Sequence, residues 1–293
     1  MRLLVTGSKG QLVTALLERG AAAGVEIIPV GRPQLDLADP TTIAPAIAAA
    51  KPDAIISAAA YTAVDKAQSE RELAFAVNAI GPGAVAGAAA QLNLPVIHIS
   101  TDYVFNGAAP RPCRETDLTA PLGIYGASKL AGEHAVAAAT PNHAILRTAW
   151  VYSPFGANFL KTMLRLAAER PEINVVADQL GNPTAALDLA DAILRVAGNL
   201  VASPDEALRG IFHCAGTGDA SWADFATEIM AISEGLGGPA ATIHPIPTSA
   251  YPTPAPRPAN SRLDCSKLRA THGVVMPPWQ QSTQHTVERL LHA

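Results

Sequence analysis

Tyr125 and Lys129 stand four residues apart in YGASK, and Ser100-Thr101 ends the apolar run PVIHIST upstream of them. On a helix, residues four apart project from one face, so a phenol and an amine become neighbours there. A phenol of pKa ~10 is a poor acid or base at neutral pH, and an adjacent ammonium stabilises its phenolate and draws it towards the working range. With Thr101 holding a carbonyl oxygen, Tyr125 can hand that oxygen a proton while hydride arrives from a nicotinamide. Taken alone, YxxxK also describes an ordinary surface pair, so its surroundings decide its meaning.

A second pattern lies at the other end of the chain. In GSKGQLV, residues 7–13, Gly7 and Gly10 follow a short apolar run directly. Glycines there permit a tight turn and let backbone N–H groups approach a pyrophosphate at the positive end of the next helix, which begins at Gln11 and Leu12. A third small residue is expected at position 13, where Val13 stands. That position serves helix packing rather than phosphate contact, so Val13 should push the helix outward or demand a smaller neighbour. Past the second strand comes Gly31-Arg32, with no acidic residue. A guanidinium there can pair with a 2′-phosphate, which favours NADPH over NADH; an ordinary surface charge is the plain alternative.

These groups need a scaffold, and the hydropathy pattern supplies one. RLLVTG, VEIIPVG, DAIISAAA, PVIHISTDYVF and HAILRTAWVY read as strands apolar throughout, alternating with helical stretches such as QLVTALLERGAAAG and YGASKLAGEHAVAAA. Such alternation is the signature of a doubly wound parallel sheet. The fold expected is a Rossmann-type α/β domain from residues 1–150 and about 184–215, with a smaller C-terminal substrate-binding lobe from about 151–183 and 216–293. The segment GGPAATIHPIPTSAYPTPAPRPANSRL is dense in proline, which disfavours helix and central strand alike. It is either a flexible linker or an ordered loop over a ligand.

The 293 residues suffice for a large core, with 49% hydrophobic and 16% charged residues. A net charge of -4 without a basic run gives no reason to expect nucleic acid or an anionic membrane as partner. Cys113, Cys214 and Cys265 are odd in number and form no CxxC pair, which suits reduced thiols in a cytoplasm. No signal peptide and no uninterrupted apolar run approaching ~20 residues is read in the sequence.

Placed together, the glycine loop, the Ser-Thr strand end and YGASK resemble the extended short-chain dehydrogenase/reductase superfamily, and within it the dTDP-4-dehydrorhamnose reductases. LLVTGSKGQL, LDLAD, AAAYTAVDKAQSE, NAIGPGAVA, HISTDYVFNG, YGASKLAGE, LRTAWVYSPFGANFLKTML, DQLGNPT and RPANSRL carry the resemblance over nearly the whole chain. It implies Thr101, Tyr125 and Lys129 as the catalytic set. Cofactor contacts are implied at Gly7, Gly10, Gln11, Leu12, Arg32, Ala58, Ala59, Ala60, Thr62 and Ser100, with Tyr125 and Lys129, and with Asp36 and Leu37 near the adenine. Substrate contacts are implied at Val64, Asp65, Val104, Phe105, Trp150 and Arg257, again with Thr101 and Tyr125. For Phe105 and Trp150, core packing is the competing reading.

The resemblance implies NADPH, or NADH, as hydride donor, a dTDP-sugar as substrate and a monomer or homodimer. The family usually has glycine where Val13 stands and aspartate where Asn106 stands. Some members hold magnesium through glutamates, one of them in the first helix, where this chain has Ala15, so no structural metal is expected. Sugar-nucleotide 4,6-dehydratases follow the strand-end threonine with Asp-Glu, whereas here Asp102-Tyr103 follow. GDP-sugar epimerase-reductases are another alternative, one that needs acid/base residues beyond this set. The regulatory subunit of methionine adenosyltransferase also resembles these reductases, and a nucleotide-binding scaffold of that kind has no physical need for a lysine beside a tyrosine.

Overall fold

The computed structural model describes residues 1–292. Six strands, β1 (Arg2–Thr6), β2 (Glu26–Val30), β3 (Ala54–Ser57), β4 (Val96–Thr101), β5 (His143–Thr148) and β6 (Gly210–His213), pair in parallel in the order β6-β5-β4-β3-β1-β2. Helices cover both faces, so the central strands are buried on both sides, and this is why they read as unbroken apolar runs. The fold is a Rossmann-type doubly wound α/β sheet. The strand order reverses between β1 and β3, and a ligand crevice is expected outside the strand ends at that reversal. Thr6, the last residue of β1, locks the two ends together, its Oγ1 accepting the N–H groups of Ala58 and Ala59 at 3.0 Å each.

The helices are α1 (Gln11–Ala22), α2 (Ile43–Ala50), α3 (Arg71–Phe75), α4 (Gly81–Gln91), α5 (Ile124–Ala139), α6 (Phe159–Glu169), α7 (Ala186–Ala202), α8 (Trp222–Gly235), α9 (Ser266–His272) and α10 (Trp279–Leu291). A turn of π-helix at Ala76–Ile80 joins α3 and α4 into one rod, Arg71–Gln91. By length and composition this rod is apolar enough to cross a membrane, an outcome the residue-by-residue reading did not foresee. Half of its most apolar stretch is buried inside the fold, where α4 packs on α2 and α5.

Two main cores result. The first joins β1, β3–β6, α1 and α7 around residues such as Leu3, Val5, Ile97, Leu189 and Phe212. Leu268, Val274 and Met276 belong to it as well, although the sequence reading grouped them with the later lobe. The second core gathers Tyr152, Leu160, Phe225, Ile229, Trp279 and Val287 from α6, α8, α10 and their connections. The expected lobe ended at Ala293, which lies outside the described residues.

The proline-dense stretch is neither linker nor featureless. Its first part forms a strand, Thr242–Ile246, that pairs in parallel with Glu172–Val176. Pro245 is accommodated because this pair is a separate two-stranded ribbon, where a missing N–H goes to an edge. Two other expected strands end early: β4 stops at Thr101, where a 3₁₀ turn takes over Asp102–Val104, and β5 stops at Thr148. The break after β5 is made by Trp150, whose φ of +48° no extended strand can contain.

Candidate active site

Gly7 leaves β1 with φ +102°, a conformation that L side chains rarely adopt, and a Cβ built there would lie 3.4 Å from Ala59 Cβ. Gly10 is the N-cap of α1 and brings no side chain to cap it, so the first N–H groups of that helix remain available to a ligand. Val13 is buried; its Cγ2 sits 3.5 Å from where a Gly7 Cβ would be. The valine therefore packs beneath the loop in ordinary van der Waals contact with Gly7, and it is the φ of +102° rather than the valine that calls for glycine at position 7. The uncapped N–H groups at the start of α1 are retained beside it.

The loop opens into a cavity of about 640 Å³ at the strand ends, also lined by Ala58, Ala59, Ala60, Thr62, Val64, Ser100, Thr101, Tyr125, Lys129 and Trp150. Tyr125 and Lys129 do share one helix, α5, whose start lies against the turn after β4: a Cβ on Gly126 would collide with the Tyr103 carbonyl. Tyr103 and Tyr125 meet edge to face, with ring centroids 5.6 Å apart. Burial of its hydroxyl end pushes the Tyr125 pKa up to about 12, opposed by a hydrogen bond with Thr101 and reinforced by Asp102. The expected effect of Lys129 is absent from this balance. Lys129 Nζ instead donates to the Ile99 carbonyl at 2.7 Å and lies 3.5 Å from His98 Nε2, and burial lowers its pKa to about 8 against the pull of Glu133.

Beneath the site lies a charged group that sequence reasoning missed. Arg147 on β5 donates through Nε and Nη2 to Glu133 of α5 at 2.9 and 2.7 Å, both side chains buried, and Ser100 Oγ donates to the same carboxylate at 2.5 Å. Arg147 also lies over the Phe105 ring, 5.0 Å from its centroid. This fork ties helix α5 to strands β4 and β5, the elements that carry Tyr125 and Thr101. Asn78 performs a similar task above: it bonds the Tyr61 backbone in both directions, at 2.8 and 3.0 Å, and donates to Ser128 Oγ at 3.0 Å. Neither link leaves a local sequence signal, since each partner is distant along the chain. Asp102, buried at the cavity floor, was also passed over.

The remaining expected site residues divide. Trp150 lines the cavity and stacks on Trp222 at 3.6 Å between centroids, while a Cβ on Gly181 would strike its indole. Val104 and Phe105 are buried in a satellite core with Cys113 and Leu263, the packing reading raised for Phe105. Leu37 is buried against Gly81, and Asp36 Oδ1 accepts the Ala38 N–H at 2.9 Å; neither lines the cavity. Arg32 is exposed at the end of β2 and makes no ion pair among the described residues. Asp65 and Arg257 are brought together, but by pairing with each other at 2.9 Å through both guanidinium nitrogens. Gln11 Oε1 accepts from Ser153 Oγ at 2.7 Å and Asn158 Nδ2 at 2.9 Å, so its side chain spans from the glycine loop to the cap of α6. Asn106 Oδ1 accepts the Ala108 N–H at 3.0 Å, a role an aspartate oxygen fills equally well.

A parallel sheet with an uncapped glycine loop at its switch point, and a Tyr/Lys helix facing it across one cavity, defines the Rossmann-type reductases and epimerases. Comparison with known proteins narrows this. Residues 1–292 match the model of the RmlD substrate binding domain family. The chain is 54% identical over 291 residues to a dTDP-4-dehydrorhamnose reductase of Sinorhizobium fredii, covering 99% of this chain and 98% of that one. Among solved structures, it is similar to a dTDP-4-dehydrorhamnose reductase of Clostridium acetobutylicum, with a TM-score of 0.92, 37% identity and coverage of 99% and 100% of the two chains. A dTDP-4-dehydrorhamnose reductase of Bacillus anthracis, solved in complex with NADP, gives a TM-score of 0.91 at 36% identity over 98% and 99%. This chain belongs to the dTDP-4-dehydrorhamnose reductase family.

Proposed function

We propose that this protein reduces the C4 keto group of dTDP-4-dehydro-L-rhamnose to give dTDP-L-rhamnose, a precursor of cell-surface polysaccharide, with NADPH as hydride donor. One observation carries the reading: the uncapped start of α1, the Thr101 hydroxyl and the Tyr125 phenol share a single cavity in a chain of this family. Bound along the glycine loop, NADPH supplies a hydride to the sugar C4. Arg32, exposed and without an ion-pair partner among the described residues, suits a 2′-phosphate, and the similar Bacillus anthracis protein was solved with NADP.

The work of the chain's own groups follows from their surroundings. Tyr125 hands its phenolic proton to the sugar oxygen as that oxygen becomes negative. A pKa of about 12 keeps the phenol protonated at neutral pH, the form that a reduction consumes. Thr101 aligns the phenol with the sugar oxygen, and Lys129, held by the Ile99 carbonyl, would hold the nicotinamide ribose. Trp150, braced by Trp222, presents an aromatic wall to the sugar nucleotide. Val64, with Asp65 and Arg257 beside it, completes the proposed substrate side, and Asp36 the adenine side; Val104, Phe105 and Leu37 are core residues behind these faces. The two cores support a division into a dinucleotide-binding domain and a substrate lobe, with α9 on the dinucleotide side. In this reading the partner is the dTDP-sugar alone, the protein acts in the cytoplasm, and it is a monomer or homodimer.

The test follows nicotinamide absorbance with freshly generated dTDP-4-dehydro-L-rhamnose, comparing NADPH with NADH. Tyr125→Phe should lower turnover roughly 10²- to 10⁴-fold while NADPH affinity is unchanged. A variant that keeps near-normal turnover removes Tyr125 from its role. NADPH binding without turnover in the unaltered protein favours a regulatory subunit or another keto-sugar.

A further inference from the structure

Beyond this reaction, and resting on it, we propose that Asp102 is a proton store for Tyr125 and acts through Thr101. The three groups form a chain. Thr101 Oγ1 lies 2.9 Å from Asp102 Oδ1, donating to that carboxyl when it is ionised and accepting from it when it is protonated; it also accepts the Tyr103 N–H at 3.2 Å and stands close enough to the Tyr125 hydroxyl to favour the ionised phenol. All three line the cavity, so the chain begins at the reacting oxygen and ends at a carboxyl in reach of solvent entering there.

The surroundings of Asp102 contrast with those of the other buried carboxylate nearby. Glu133 receives a guanidinium fork and a serine hydroxyl. Asp102 is 2% exposed and has no such counter-charge, and its Oδ2 makes no hydrogen bond, although the Ser261 hydroxyl stands close enough to favour the ionised form. The titratable groups facing it are Tyr103 on its own segment, Tyr125 from α5 and Cys113 from the loop that follows, none of them a cation. Burial accordingly raises its pKa to about 6, against Ser261 and Thr101, which lower it. A structural carboxylate gains nothing from such a position; a group that must take up and release a proton near neutral pH does.

The proton balance closes without another reagent. When the sugar oxygen takes the Tyr125 proton, a phenolate is left. The Thr101 O–H bond breaks as its proton moves to the tyrosine oxygen, and the Asp102 O–H bond breaks as its proton moves to Thr101 Oγ1. Asp102, now a carboxylate, recovers a proton from water in the cavity. The transfer runs from a pKa of about 6 to one of about 12, so it is downhill.

The experiment has two arms on the intact protein. The first needs no turnover: infrared difference spectra across pH should show a protonated carboxyl that titrates near pH 6 and is missing from Asp102→Asn. A wild-type carboxyl band that is absent, or that titrates in the ordinary carboxylate range, overturns the proposal. In the second arm, wild-type kcat should fall to a lower plateau as pH rises through about 6, because the store empties. Asp102→Asn should lose that step, with kcat lowered roughly 10- to 100-fold and the NADPH Kd and sugar KM within about threefold of wild type. An unchanged pH profile in the variant overturns the idea, since a purely structural aspartate would leave the step in place. Should the variant fail to bind NADPH, a solvent-deuterium proton inventory on the wild type decides: a curved inventory, with more than one proton in flight, supports the relay, and a linear one overturns it. If the wild type turns over no dTDP-4-dehydro-L-rhamnose, the function proposed above fails, while the infrared arm still reports on Asp102.

Discussion

Glu133 and Asp102 are both buried carboxylates, and their opposite settings predict opposite consequences of neutralising them. Removing the charge of Glu133 strands Arg147 in the interior, and breaking a buried ion pair in this way costs about 3–5 kcal/mol. Asp102 carries its cost in the wild type. Its folded pKa of about 6 lies above the ordinary 3.8, so the folded state holds the proton more tightly and stability drops as pH rises between about 4 and 6. The shift of roughly two units corresponds to at most about 3 kcal/mol at neutral pH. Thermal melts of Glu133→Gln and Asp102→Asn at pH 4 and pH 7 check both. Glu133→Gln should melt lower at pH 7, whereas Asp102→Asn should melt higher than wild type at pH 7 and lose that advantage at pH 4.

At the level of elements, α5 is the part most tightly specified. Its glycines are sites of close approach: Cβ atoms on Gly126 and Gly132 would run into the Tyr103 and Asn78 carbonyls. Gly132→Ala should therefore cost about 1–3 kcal/mol by overpacking, and it should lower kcat as well, because the same helix carries Tyr125 and Lys129. Urea unfolding together with turnover checks this; a variant with normal stability and activity means that α5 and the π turn part without cost. The helix and its Tyr/Lys spacing were legible in the sequence, as were the sheet strands, because buried parallel strands and a periodic helix each write a local pattern. Three features were not. Trp150 in a left-handed conformation depends on Gly181 and Trp222, far along the chain. The Arg147–Glu133 fork depends on β5 lying beside α5. The strand Thr242–Ile246 was hidden because its proline looked forbidden until the strand proved to lie in a two-stranded ribbon. The site was thus readable where chemistry demands a spacing, and unreadable where tertiary contact creates the environment.

Across the whole molecule, polar links join regions far apart in sequence. Gln11 reaches Ser153 and Asn158, Arg289 forms a fork with Glu18, and Arg257 forms one with Asp65. The Arg289 pair is half exposed, and such surface pairs contribute no more than about 1 kcal/mol. The Arg257 pair is better enclosed and also secures the turn within residues 247–258, a strap in the proline-dense stretch, since Arg257 donates to the Ala255 carbonyl and Asp65 accepts the Ala255 N–H. Arg257→Ala should free residues 247–258 for rapid proteolytic cleavage and raise the sugar KM more than it lowers kcat. Limited proteolysis with mass mapping and steady-state kinetics reads both; an unaltered cleavage pattern means that the strap is held by its other contacts.

The Arg257–Asp65 link has a consequence in time. Its partners are 192 residues apart, so a ribosome that has already released β1, β3 and the glycine loop must still make most of the chain before the strap can dock. Until then the Asp65 carboxylate lacks this partner, so the contact forms only late in synthesis, after every strand of the central sheet has emerged.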